Sequence, residues 1–224
     1  MQSEGIIRKE GMIPIGQARL IILAVAVIYL ALGTVFGYIF VWSPNKAVTR
    51  YEAEIKDALK TVKQKPNDIG ARINLGFKYM KTQKFDEAKA EYNAALQIDP
   101  NNRVAILNMA YFFLETKNYK EADKYLENLN KTDPGFQVYF MLGKSKFMQK
   151  DFNAAIQKLQ FARDLDPTDT ETHYYMGLSY LKTGEKDKAA EEFKEALQFD
   201  PNRRDAIEEL KKMGISYKSE VKGH

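Results

Sequence analysis

Cysteine is absent from the 224-residue sequence, and histidine occurs only twice. Without cysteine the chain has no disulfide framework, no thiol nucleophile, no CxxC metal site and no lipidated cysteine. We interpret His173 as a packing residue and His224 as part of a polar tail. The sequence also lacks HExxH, GxGxxG, a P-loop and an acidic calcium loop. We therefore expect no enzyme activity, no cofactor, no bound metal and no small-molecule substrate.

A strong excess of charge of either sign is also missing. The formal net charge is only +4, and lysines alternate with acidic residues along most of the chain. This arrangement is typical of solvated helix faces and not of a basic stripe that follows a phosphate backbone. We expect no nucleic-acid partner.

One stretch contains no charged residue at all. Residues 20–42 read LIILAVAVIYLALGTVFGYIFVW, which as a helix would be about 34 Å long and would cross a hydrocarbon core of about 30 Å. A secretory signal has a shorter apolar region of about 7–15 residues. The run therefore predicts a single retained transmembrane helix in contact with lipid, preceded by a short N-terminal segment, residues 1–19.

Basic residues lie on both sides of this predicted span, so the positive-inside rule leaves its orientation open. Arg19 directly precedes the span and favours a cytoplasmic N-terminus, which would place the rest of the chain outside the cytoplasm. Gly33 and Gly37 lie four residues apart and would permit close contact with another membrane helix. Because glycine is common in membrane spans, the alternative is that this spacing has no such role.

Proline is infrequent but regularly placed. Pro100, Pro134, Pro167 and Pro201 each follow an aspartate and are spaced by 34, 33 and 34 residues. They define four units, residues 69–102, 103–135, 136–169 and 170–203. Each unit has a small residue in its first half and an alanine in its second: Gly76 and Ala88, Ala110 and Ala122, Gly143 and Ala155, Gly177 and Ala189. This pattern resembles the tetratricopeptide repeat.

The resemblance implies an all-α superhelix in which each unit is a pair of antiparallel helices. Pro66 precedes Pro100 by 34 residues, so we interpret residues 43–68 as a linking half-repeat helix. At the other end, apolar residues at helical spacing predict a capping helix over 204–217, followed by a tail, residues 218–224. Two departures from the family pattern stand out, because Lys146 replaces the usual aromatic and the second unit is one residue short.

In tetratricopeptide proteins the first helix of each unit lines a concave groove, and the resemblance implies that partners bind there. The corresponding candidates are Asn74, Phe77, Asn108, Tyr111, Phe140, Lys144, Tyr174 and Tyr175. Asn74 and Asn108 occupy a position where family members often hold a peptide backbone, and an amide both donates and accepts hydrogen bonds. The alternative is that some of the aromatics complete the core between repeats. The basic clamp that family members use for C-terminal carboxylates is not present.

These features together predict a membrane-anchored tetratricopeptide scaffold or adaptor. Its groove would bind other proteins, in the assembly or tethering of a membrane or extracytoplasmic complex. The alternative is a permanent structural subunit of a large membrane protein complex. Whether the groove takes an extended peptide or a folded helix stays open at this point.

Overall fold

The fold is built from helices alone across residues 46–217, the part of the chain that the structure, a computed structural model, describes. The ten helices found in this range are α1 Lys46–Gln64, α2 Ile69–Lys81, α3 Phe85–Ile98, α4 Arg103–Glu115, α5 Tyr119–Thr132, α6 Phe136–Met148, α7 Phe152–Leu165, α8 Thr170–Thr183, α9 Lys186–Phe199 and α10 Arg204–Lys212. The chain divides into two compact parts, Met1–Ala53 and Glu54–His224, and α2 to α10 lie in the second part.

Helices α2 to α9 form four pairs, and each pair stacks on the next. The first helices of neighbouring pairs, α2 with α4, α4 with α6 and α6 with α8, also contact one another. Each of these first helices begins at the residue where a predicted unit begins: Ile69, Arg103, Phe136 and Thr170. Residues 69–199 therefore form a superhelix of paired helices, as the repeat pattern predicts.

Small residues allow the two helices of a pair to approach closely. A Cβ atom added to Gly76 would lie 2.6 Å from the ring of Tyr92, and one added to Gly177 would lie 2.6 Å from the ring of Phe193. Both rings are fully buried. Only glycine leaves room for a large side chain at this position, and that ring fills the space between the helices.

The recurrent Asp-Pro closes the turn between pairs by two separate means. Proline cannot donate a hydrogen bond inside a helix, and it disfavours helix at the residue before it. The aspartate contributes as well, because its side chain accepts a hydrogen bond from the amide two residues further on. The Oδ1 atoms of Asp99, Asp166 and Asp200 lie 3.0, 3.0 and 3.1 Å from the amides of Asn101, Thr168 and Asn202.

The turn after the second pair is different, because the second repeat, residues 103–135, is one residue shorter than its neighbours. Elsewhere a side chain caps the next helix: Asp68, Asn102 and Asp169 accept from the amides of Ala71, Ala105 and Thr172. Gly135 takes this place before α6 and has no side chain to do so. The side chain of Arg103, the first residue of α4, contacts this turn instead. Its Nη1 atom lies 2.6 Å from Oδ2 of Asp133.

Both ends of the superhelix are covered by helices. Ile55, Ala58 and Val62 on α1 pack against Leu75 of the first pair. Ala206 and Leu210 on α10 are fully buried against the last pair. The predicted capping helix extends to residue 217, whereas α10 ends at Lys212. Beyond it, Ile215 and Tyr217 still pack against the same core, and the Tyr217 hydroxyl lies 3.3 Å from the Leu197 carbonyl oxygen.

The predicted transmembrane helix at residues 20–42 lies outside the described residues, as do the N-terminal segment, Gly33, Gly37 and the tail. Among residues 46–217, no helix combines the length and the apolar character that a membrane crossing requires.

Candidate functional site

A depression of about 480 Å³ lies between the first helices of the first two pairs, α2 and α4. Its lining consists of Ile69, Gly70, Ile73, Asn74, Phe77, Asn102, Val104 and Asn108. Three of the predicted groove residues, Asn74, Phe77 and Asn108, are therefore brought together. The side chain of Phe77 is 41% exposed and that of Val104 is 54% exposed. An apolar surface with amides at its edge is thus open to solvent here.

The polar groups of this depression retain hydrogen-bonding capacity. Asn108 donates one amide hydrogen to the Val104 carbonyl oxygen at 2.8 Å, and a primary amide has a second N–H and an acceptor oxygen. Lys81 places its ammonium group 5.1 Å from the centre of the Phe77 ring. A cation over an aromatic face is favourable. The positive charge of Lys81 therefore lies at the edge of the apolar surface that Phe77 provides.

A second group of predicted groove residues lies on α6 and α8. The ring of Tyr175 is 6.2 Å from that of Phe140 and 5.8 Å from that of Tyr174, and the ammonium group of Lys144 lies 5.4 Å from its centre. Phe140, Tyr174 and Tyr175 are half-buried and pack against the core of the last pair. These rings fit the alternative that some aromatics complete the core between repeats.

Tyr111 lies between the two groups. Burial is the largest influence on its hydroxyl, and the charge of Glu115 and a hydrogen bond with that carboxylate act in the same direction. Together they raise the pKa of Tyr111, although the nearby ammonium of Lys144 lowers it in part. Burial, Asp205 and Glu209 likewise raise the pKa of Tyr174 against the opposing charge of Arg203. Both phenols are therefore neutral hydrogen-bond donors near neutral pH.

Sequence reasoning missed Val104, which is the most exposed apolar residue of the first depression. It occupies the second position of its repeat, a position that faces the groove in the family, so the same alignment would have found it. In the same alignment, Met80 and Leu114 also occupy a repeat position that faces the groove in the family. Both are buried in the core, because the neighbouring pair packs over them.

A larger depression of about 630 Å³ lies on the second helices, α3 and α5, where the sequence predicts no site. Its lining includes Asn93, Leu96, Tyr125 and Asn128. It is about as polar as it is apolar, and a Lys124–Glu121 ion pair of 2.6 Å belongs to its rim. Within the described residues, no group of three or more acidic or histidine side chains is arranged to hold a metal ion.

The stacked pairs with their small interhelical residues define a helical-repeat solenoid. The sequence profile of the tetratricopeptide repeat family matches residues 83–143 and again residues 170–203. These matches confirm that the chain contains tetratricopeptide repeats, as the proline spacing predicts.

A curated relative and two solved structures are similar to this chain. DnaJ homolog subfamily C member 3 of Gallus gallus is 26% identical over 167 residues, which are 75% of this chain but only 29% of that protein. MamA from Desulfovibrio magneticus RS-1, residues 41 to the end, superposes with a TM-score of 0.61 at 21% identity, covering 70% of this chain and 91% of that one. YrrB, described as a tetratricopeptide protein with an unusual peptide-binding site, superposes with a TM-score of 0.58 at 20% identity over 74% and 86% of the two chains.

Proposed function

We propose that the protein is a scaffold without enzyme activity that binds a segment of another protein in its concave groove. In this proposal the depression between α2 and α4 is the primary contact site. Residues 20–42 anchor the chain in a membrane as a single-pass span, with the repeats outside the cytoplasm. The bound segment belongs to a component of a membrane or extracytoplasmic complex that the scaffold helps to assemble or tether.

The observation that carries the proposal is the exposure of Phe77 and Val104 beside Asn74 and Asn108. Burying two such side chains removes apolar surface from water at about 25 cal/mol per Å². The neighbouring amides supply hydrogen bonds to a peptide backbone, whose own donors and acceptors must be satisfied once water is displaced. An extended segment suits this arrangement, because it presents backbone amides that a folded helix has already used. YrrB, similar in fold, has a peptide-binding site.

Anchoring rests on the uncharged run at residues 20–42, which is long enough for a bilayer. A tether to the membrane restricts the scaffold to the surface on which its partners also lie. The effective concentration of those partners is then high, so a groove of modest affinity is sufficient.

Paired asparagine substitutions test the groove. The probes are peptides selected from a displayed random library against the full-length protein. Asn74→Ala with Asn108→Ala removes both amides from the α2–α4 depression and should weaken binding by about 5- to 150-fold, since each lost hydrogen bond contributes about 0.5–1.5 kcal/mol. Asn93→Ala with Asn128→Ala is the matched control, because these asparagines line the depression on the second helices. Equal affinity of the wild type and the first double variant would place the ligand elsewhere.

A photo-crosslinking amino acid locates the bound peptide directly. Placed at Phe77 it should capture the selected peptides, whereas placed at Phe161 it should not. Phe161 is a suitable control because it is 53% exposed and belongs to α7, where its ring stacks on Tyr139 at 5.1 Å. Capture at Phe161 alone would show that the peptide binds on the second helices and not in the groove.

Membrane anchoring and orientation are tested in sealed cells. We expect the full-length protein to sediment with membranes and to resist extraction by carbonate, and external protease to digest residues 46–217 once any outer barrier is opened. Deletion of residues 20–42 should release the repeats into the soluble fraction. Co-migration with fixed partners in constant ratio after mild detergent would instead favour a permanent structural subunit.

A further inference from the structure

The imidazole of His173 is held in the fourth repeat by two hydrogen-bond acceptors. Its Nδ1 atom lies 2.7 Å from Oε2 of Glu192, and its Nε2 atom lies 2.9 Å from the carbonyl oxygen of Pro167. The residue is 4% exposed. A neutral imidazole carries one N–H and would satisfy only one of these acceptors, whereas imidazolium donates to both. The geometry therefore selects the charged form.

The first repeat contains the same arrangement with arginine in place of histidine. Arg72 occupies the equivalent position, and its Nε atom lies 2.7 Å from the carbonyl oxygen of Pro66. Its Nη1 atom lies 2.9 Å from Oε2 of Glu91. The three partners have the same spacing along the chain in both repeats, since the carbonyl precedes the cation by six residues and the glutamate follows it by nineteen. The fold thus uses a cation twice for the same purpose.

The second and third repeats have no cation at the position of Arg72 and His173. Ile106 and Tyr139 occupy its position. Ile106 is buried and packs with Tyr125, which stands where the glutamate would be. The ring of Tyr139 stacks on Phe161. An apolar contact therefore joins the paired helices in the middle of the superhelix, whereas a hydrogen-bonded cation joins them in the first and the last repeat.

The groups facing His173 come from both neighbouring helices and favour its charged form. They are Arg163 and Asp164 from α7, Glu191, Glu192, Glu195 and Phe199 from α9, and Pro167 from the turn before α8. Burial lowers the proton affinity of the ring, but the hydrogen bonds to Glu192 and Pro167 and the charges of Glu192 and Glu195 outweigh burial and raise the pKa of His173. Arg163 is the opposing cation, and its Nη1 atom lies 3.4 Å from Oε1 of Glu192.

We propose that His173 is a proton-dependent clasp between α8 and α9. As imidazolium it links Glu192 of α9 to the turn before α8, and when it loses its proton one of those two acceptors is left without a donor in a buried place. Arg72 forms the permanent counterpart in the first repeat, because a guanidinium stays charged at every relevant pH. The fourth repeat therefore opens more readily as the pH rises, whereas the first does not. This inference does not rest on the proposed binding function.

The direction of the effect follows from proton linkage. Because the pKa of His173 is higher in the folded repeat than in the unfolded chain, the folded repeat binds the proton more tightly. The stabilisation is complete below the ordinary histidine pKa of about 6.5 and is lost as the pH rises through the folded-state value. Each unit between the two pKa values corresponds to about a tenfold change in the opening equilibrium.

Opening of this contact would also affect the concave face, because Tyr174 and Tyr175 directly follow His173 on α8. A looser α8–α9 pair would free these tyrosines from their packing with Phe140 and Phe193. Loss of the proton thus reaches the fourth repeat's part of the groove while the α2–α4 depression is unaffected.

Histidine NMR on the full-length protein tests the protonation state, and the sequence has only two histidines to assign. We expect His173 to titrate above the ordinary histidine pKa of about 6.5. We also expect Glu192→Gln, which removes the carboxylate charge, to lower the His173 midpoint. Titration of His173 at or below about 6.5 would overturn the proposal.

Hydrogen exchange at about pH 6 and about pH 8.5, corrected for intrinsic rates, tests the clasp itself. Amides of α8 and α9 should lose protection at the higher pH, whereas those of α2 and α3 should keep it. His173→Arg should abolish the difference, and the reciprocal Arg72→His should transfer it to the first repeat. A pH dependence in α8 and α9 that survives His173→Arg would contradict the proposal. If His173→Arg does not fold, the Arg72→His result alone decides it.

Discussion

At the scale of single residues, Lys146 shows how the structure accommodates a departure from the repeat pattern. Its ammonium group lies 2.8 Å from Oδ2 of Asp123 on α5, and the Gln149 side-chain amide donates to the same oxygen at 2.8 Å. A polar network between the second and third repeats therefore replaces the usual aromatic contact. Because the lysine and its acid are partly buried, the pair holds α6 in register against α5.

The small residue of each repeat offers a prediction at this scale. Gly177→Ala places a methyl group 2.6 Å from the buried Phe193 ring, and we expect a loss of about 1–3 kcal/mol from overpacking. Gly70→Ala is the matched control, because its nearest atom would be Oδ1 of Asp68 at an ordinary 3.4 Å. Alanine forms helix better than glycine by about 1 kcal/mol, so the control should not destabilise. Denaturant unfolding measures both, and equal losses would refute the close-approach argument.

At the scale of helices and turns, each repeat begins with a helix that needs a cap. Three of the four first helices obtain it from an Asp or Asn side chain, and the helix after Gly135 does not. The one-residue deletion removes the capping residue but leaves the helix in place, since α6 packs on α5 and Arg103 ties the start of the second repeat to its closing turn through Asp133. Tertiary contacts here outweigh a local signal, which explains why a shortened unit is tolerated.

A cap substitution tests this view of the turns. Asp68→Ala removes the acceptor 3.0 Å from the Ala71 amide, and we expect the free energy of unfolding to fall by about 0.5–2 kcal/mol. Asp68→Asn keeps an acceptor oxygen, as Asn102 does naturally, and should retain most of the stability. Thermal unfolding of the three proteins provides the comparison. An Asn variant as weak as the Ala variant would show that the charge and not the cap matters.

At the scale of the whole molecule, the sequence predicted the repeats well because their signals are steric and local. The prolines, the glycines opposite large rings and the aspartates each act within one turn or one helix pair. The site was harder to predict, because exposure depends on the neighbouring repeat. The ninth position of the repeat is 41% exposed as Phe77 in the first repeat, whereas its equivalent Leu178 in the fourth repeat packs against the core. His173 was correctly taken as packed, but its pairing with Glu192, nineteen residues away, is visible only in the folded structure.

The capping helix α10 supplies the final prediction, because a solenoid transmits stability only between neighbours. Leu210 is fully buried against the last pair, so Leu210→Ala should remove about 2–5 kcal/mol through lost burial and a cavity. The loss should appear as faster hydrogen exchange in α8, α9 and α10, with α2 and α3 unchanged. Leu165→Ala is the control, since Leu165 is 56% exposed and should change stability by no more than about 0.5 kcal/mol. Uniform loss of protection across all four repeats would mean that the superhelix unfolds as one cooperative unit and that α10 stabilises the whole of it.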